Sequence, residues 1–140
     1  MNDGKPAPVE TGKPEDDLFH LKRDGKVLRR RFSLAEMRKA GEEGGLLLAS
    51  MTAEKPDDLH PDHWEIHPQG DELIFVLKGE LRLAFEGQDE SRITLKAGSA
   101  AIVPQAQWHR FEWMGPVTLL FVTPPGGTEL REASAMERAR

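Results

Sequence analysis

No cysteine and no tyrosine occur in this 140-residue chain, and each absence closes off a class of chemistry. Without cysteine there are no disulfides, no thiolate metal sites and no thiol nucleophiles. Without tyrosine, acid–base schemes that rely on a phenolic proton donor lose that donor. No apolar run approaches the ~20 residues needed to cross a bilayer. Residues Met1 to Asp17 are polar and proline-rich, so no signal peptide is visible. No Gly-x-Ser-x-Gly elbow surrounds any serine, which argues against α/β-hydrolase chemistry. A net charge of −5 with 31% charged residues is not that of a nucleic-acid binder. The expectation is a cytoplasmic protein with neither membrane nor nucleic acid as partner.

What is present divides the chain into four stretches. Residues 1–20 read as a flexible N-terminal arm, and residues 21–44 as an extension with one short helix. Within that extension Ser33-Leu34-Ala35-Glu36 has the form of a capping box, with Leu34, Met37 and Ala40 at helical spacing and Gly41 as a stop. The basic run Lys22, Arg23, Lys26, Arg29, Arg30 and Arg31 reads as a solvated face or a dimer contact. Residues 45–125 form the body, and residues 126–140 a tail with mild helical propensity. The body holds about eight short apolar or alternating segments separated by Gly- and Asp-containing turns, one of them Gly87-Gln88-Asp89-Glu90. That pattern predicts an all-β sandwich or barrel.

The chemistry concentrates in two places. Glu65, His67 and Glu72 precede or open very apolar strands, and His109 follows some distance later beside Phe111 and Trp113. Side chains alternate along a strand, so His63, Glu65 and His67 share one face while Trp64 and Ile66 share the other. If the next strand runs back antiparallel, Glu72 lies opposite that trio. Imidazoles and carboxylates do not usually enter an apolar β framework unless something there binds them. His63, Gln107, Phe111 and Trp113 are candidate pocket residues. An aromatic in a β core is more often packing, and His60 and His63 read equally as surface residues.

The same residues resemble the cupins, small jelly-roll barrels defined by two motifs. His67, four intervening residues, Glu72, six more and Gly79 match the first; Gly98, five residues, Pro104 and then His109 match the second. Four positions depart from the pattern: Leu59 and Ala106 stand for glycines, Glu65 for the first histidine and Trp113 for the terminal asparagine. The resemblance implies a jelly-roll β-barrel with a short N-terminal helix. It also implies a divalent metal held by Glu65, His67, Glu72 and His109, with Asp71 and Gln107 as candidates to orient an imidazole. Two imidazoles and two carboxylates make a hard site that favours Fe, Mn, Zn or Ni over soft copper.

Three functions fit this reading. The first is a metal-dependent enzyme acting on a small organic molecule by oxygenase, isomerase or lyase chemistry, with its catalytic residues unassigned. The second is a non-catalytic module that binds or senses a metal or small molecule. The third is a metal-free isomerase, which the missing tyrosine and the metal-ligand spacing count against. Both faces of the strand from Glu72 to Leu77 are apolar, so one needs cover from a second sheet, the N-terminal segment or a second copy. A homodimer is expected.

Overall fold

The computed structural model describes residues 4–87 and 92–139. The expected turn at Gly87-Gln88-Asp89-Glu90 therefore lies, beyond Gly87, outside the described residues. Among the described residues, eleven strands run in chain order with two helices and a short 3-10 turn at Pro56–Leu59. The N-terminal part gives β1 (Asp17–Leu21), β2 (Val27–Arg31), α1 (Leu34–Glu43) and β3 (Leu46–Ala53). The central part gives β4 (His63–Ile66), β5 (Glu72–Lys78), β6 (Glu80–Phe85) and β7 (Arg92–Lys96). The remainder gives β8 (Ala100–Val103), β9 (His109–Glu112), β10 (Val117–Thr123), β11 (Glu129–Glu132) and α2 (Ala135–Ala139).

These strands make two antiparallel sheets, ordered β2-β1-β3-β10-β5-β8 and β11-β4-β9-β6-β7. The sheets face each other as a jelly-roll barrel. Between them, Ile74 and Val76 of β5 meet Leu81 and Leu83 of β6 and Leu119 of β10, all within 1% of complete burial. Burying such side chains contributes roughly 1.5–3 kcal/mol each and dominates the stability of a domain this size.

The chain crosses from one sheet to the other at Gly79, so β5 and β6 are not a hairpin pair. Gly79 has φ +82°, and a Cβ there would overlap the carbonyl oxygen of Pro116. Only glycine fits so tight a corner. The chain also changes sheets between β4 and β5, so β5 does not run back beside β4: it pairs with β10 and β8, in the opposite sheet.

The N-terminal stretch differs from its expectation. Asp17–Leu21 is a strand rather than arm, and with β2 it extends the first sheet next to β3. The basic run is partly internal to the fold. Arg30 reaches α1 through Glu36 at 2.9 Å and Glu43 at 2.8 Å, and its Nε donates to Nδ1 of buried His20 at 3.2 Å. Helix α1 is capped by Ser33, whose Oγ accepts from the Glu36 N–H at 3.0 Å. It runs past Gly41 and stops at Gly44, where φ is +75°.

The tail differs as well. Glu129–Glu132 pairs with β4, and Ala133 packs against Trp64 and Ala84 on the outer face of the second sheet. Trp64 thus turns to the face opposite Glu65, as strand alternation predicts.

Candidate metal centre

The second sheet brings Glu65 of β4 directly across from His109 of β9. His67 follows one residue past the end of β4, and Glu72 opens β5 in the facing sheet. One ligand atom from each of these four side chains lies within 4.8 Å of the others. His67 Nε2 is 2.9 Å from Glu65 Oε1 and 3.3 Å from Glu72 Oε1, and His109 Nε2 is 3.2 Å from that same Glu72 oxygen. His67, Glu72 and His109 are buried, while the Glu65 side chain keeps 33% exposure toward the adjoining cavity.

The outer nitrogen of each imidazole is fixed by its own neighbour. His109 Nδ1 donates to the Gln107 carbonyl at 3.1 Å, and His67 Nδ1 lies 2.9 Å from Thr128 Oγ1. With its proton on Nδ1, the His109 ring turns a lone pair toward the carboxylate of Glu72. Two acceptors meet at that distance only with a proton or a metal cation between them. His67 Nε2 is buried with no properly directed hydrogen bond, even though two carboxylate oxygens stand beside it. The close approaches are thus ion contacts rather than directed hydrogen bonds.

The spacing fits a shared ion. Donors about 2.1 Å from one metal lie about 3.0 Å apart at a right angle and about 3.4 Å apart at the tetrahedral angle. The chemistry and the geometry of the donor set are both consistent with a divalent metal.

Protonation in the metal-free cluster follows the same contacts. Burial opposes a charged His67, yet the carboxylates of Glu65 and Glu72 outweigh it and raise the ring to about 9. Burial alone would raise Glu72, but the His109 and His67 imidazoles pull it down to about 2.

The other sequence candidates fall in different places. His63 lines the cavity at its mouth, with Nδ1 3.1 Å from Asp62, outside the four-atom group. Phe111 lines the cavity and meets the His109 ring edge-on at 6.0 Å. The side chain of Gln107 turns to the Trp108 carbonyl, and its contribution to the site is its own backbone carbonyl. Trp113 packs against the core and borders a different surface depression, because β9 ends at Glu112 and the alternation stops there. Asp71 accepts from the Gln105 N–H at 2.7 Å, so it holds the turn before β9 rather than an imidazole.

Ala106, in that turn, has φ +59° and donates its N–H to the His67 carbonyl at 3.1 Å. A left-handed alanine stores about 1 kcal/mol of strain.

Sequence reasoning missed Thr128. The Pro124–Gly127 stretch reads as a turn leaving the barrel, whereas it brings Thr128 back against His67. It also missed Met37, Met51 and Phe121, which complete the cavity wall from α1, β3 and β10.

The chain is similar to several known proteins. The chain is 40% identical over 47 residues to the uncharacterized protein YdbB of Bacillus subtilis (strain 168), a segment covering 34% of this chain and 40% of that protein. The matched segment thus spans well under two thirds of that relative. A cupin-2 domain protein from Shewanella frigidimarina NCIMB 400 aligns with TM-score 0.46 and 23% identity, over 56% of this chain and 70% of that one. A protein of known structure from Neisseria meningitidis aligns with TM-score 0.42 and 20% identity, over 57% and 72%. The family model described as "Cupin domain" matches residues 52–123, just over half of the chain and both motif regions, and the chain belongs to that family.

Proposed function

We propose that Glu65, His67, Glu72 and His109 hold one divalent metal ion, of the Fe, Mn, Zn or Ni type, and that the protein acts there on a small organic molecule. The observation that carries this reading is the convergence of two imidazole Nε2 atoms on a single oxygen of Glu72, with His67 Nε2 buried and lacking a directed hydrogen bond. A metal in such a site supplies Lewis-acid or oxygen chemistry, depending on the ion. The chain's own residues do the rest. The Gln107 carbonyl and Thr128 hydroxyl fix both rings so that Nε2 faces inward. Glu65, half-exposed to the cavity, is the carboxylate best placed to meet a bound molecule and to move a proton.

Assembly as a homodimer belongs to the same proposal. Leu73 and Leu77 of β5 and Ile102 of β8 are exposed on the outer side of the first sheet, at 36%, 43% and 68%. A second copy would cover such a face.

Mass-spectrometric metal analysis of freshly purified protein, beside His109→Ala, tests the central claim. Close to one ion per chain, lost in the variant, is the expected result. No metal in the wild type and none taken up on reconstitution would sink the metal reading and turn attention to a metal-free binding module.

A further inference from the structure

The cavity beside the cluster has a volume of about 460 Å³, within the range of pockets that take small organic molecules. Its wall is largely apolar, built by Met51, Leu59, Ile74, Phe111, Leu119 and Phe121. No lysine lines it.

Arg110 borders the cavity, but strand alternation turns its side chain to the other face of β9. There it lies over the Trp64 ring at 5.2 Å and donates to the Pro61 and Glu137 carbonyls and to Glu112. Arg92 is held by Glu112 at 2.8 Å. The rim histidines His60 and His63 stand with acids, Asp58 on the same rim and Asp62 against His63. Two carboxylates in the cluster already balance a divalent ion, so the metal leaves no net positive charge. A small dianion entering here would lose its water without gaining a counter-charge.

The polarisable surfaces of Met37, Met51, Phe111 and Phe121 instead suit a flat ring. Resting on the metal-site reading above, we infer that the cavity takes an uncharged, mostly apolar molecule of one or two rings. That molecule turns a single hydroxyl or carbonyl oxygen toward the cluster, and small dicarboxylates are excluded.

Calorimetric titration of p-cresol and of oxalate tests this, using the full chain both metal-loaded and chelator-stripped, with metal content read separately. In the loaded protein p-cresol binds and oxalate binds at least about tenfold more weakly. Leu130→Arg, at the exposed lip of the cavity on β11, narrows or reverses that preference without changing metal content. Phe121→Ala weakens p-cresol alone. Equal or tighter binding of oxalate by the loaded wild type overturns the inference, as does failure of both ligands to bind either form. Binding of p-cresol but not oxalate by a protein that takes up no metal would leave the cavity's preference standing while the metal reading falls.

Discussion

His20 and His109 are both buried almost completely, at 0% and 1% exposure, yet their ring nitrogens end differently. His20 Nε2 donates to the Gly44 carbonyl at 2.5 Å, and its Nδ1 accepts from Arg30. Arg30 has nothing but donors and a carbonyl nothing but acceptors, so both roles are fixed and both nitrogens are used by the fold. His109 and His67 are each tied through Nδ1 to an uncharged oxygen, and their Nε2 atoms converge on carboxylates. Burial and residue type are the same in the two regions. What separates a structural histidine from a candidate ligand is the partner of its nitrogens: a backbone carbonyl and an arginine for His20, a carboxylate shared with a second imidazole for His109.

The sharpest way to break this contrast is to remove one ring from each region. His109→Ala should weaken metal binding by more than about a hundredfold, read by equilibrium metal analysis. His20→Ala should leave metal stoichiometry unchanged and destabilise the fold by about 3 kcal/mol, read by urea unfolding. It deletes a buried ring and strands both the Gly44 carbonyl and the Arg30 Nε. Metal loss in His20→Ala with the fold intact would erase the distinction.

A third test uses pH. In the metal-free protein the raised His67 contributes stability in full below about pH 6.5 and loses it as pH climbs through about 9. The lowered Glu72 contributes above about pH 4.5 and loses it as pH falls toward 2. Metal-free protein should therefore be most stable between those limits. His67→Gln should flatten the alkaline limb, and His20→Gln should leave that limb in place. Metal uptake near neutral pH should release protons, measurable by calorimetry in buffers of different ionisation enthalpy.

Smaller effects sharpen the comparison. Thr128→Val leaves His67 Nδ1 without its partner and should cost about tenfold in metal affinity with little change in stability. Ala106→Gly relaxes a left-handed residue in the turn that presents the Gln107 carbonyl. It should stabilise the protein by about 1 kcal/mol and leave metal content alone.

The β-rich body was readable from strand alternation, and the grouping of Glu65, His67, Glu72 and His109 from the cupin resemblance that the two motif spacings carry. Pairing across the barrel was not. Glu72 lies in the sheet opposite Glu65, and nothing in the short interval between them reveals that the chain changes sheets. The strand Asp17–Leu21 was hidden by its neighbours. A polar, proline-rich lead-in and a basic run mask a five-residue segment whose inward Leu18 and His20 become legible only beside β3 and α1. Thr128 was invisible for a related reason, since its role depends on where a turn delivers the chain rather than on any local pattern.

The cavity wall draws Met37, Met51, Pro124, Pro125, Thr128 and Leu130 from outside residues 52–123. The four clustered side chains all come from inside that stretch. The candidate ligands thus come from that stretch alone, whereas the cavity wall is shared between it and the segments that flank it. Exchanging the flanking segments offers a route to new ligand preferences that leaves every inner donor in place. Changing the candidate donors themselves would require rebuilding the barrel's interior.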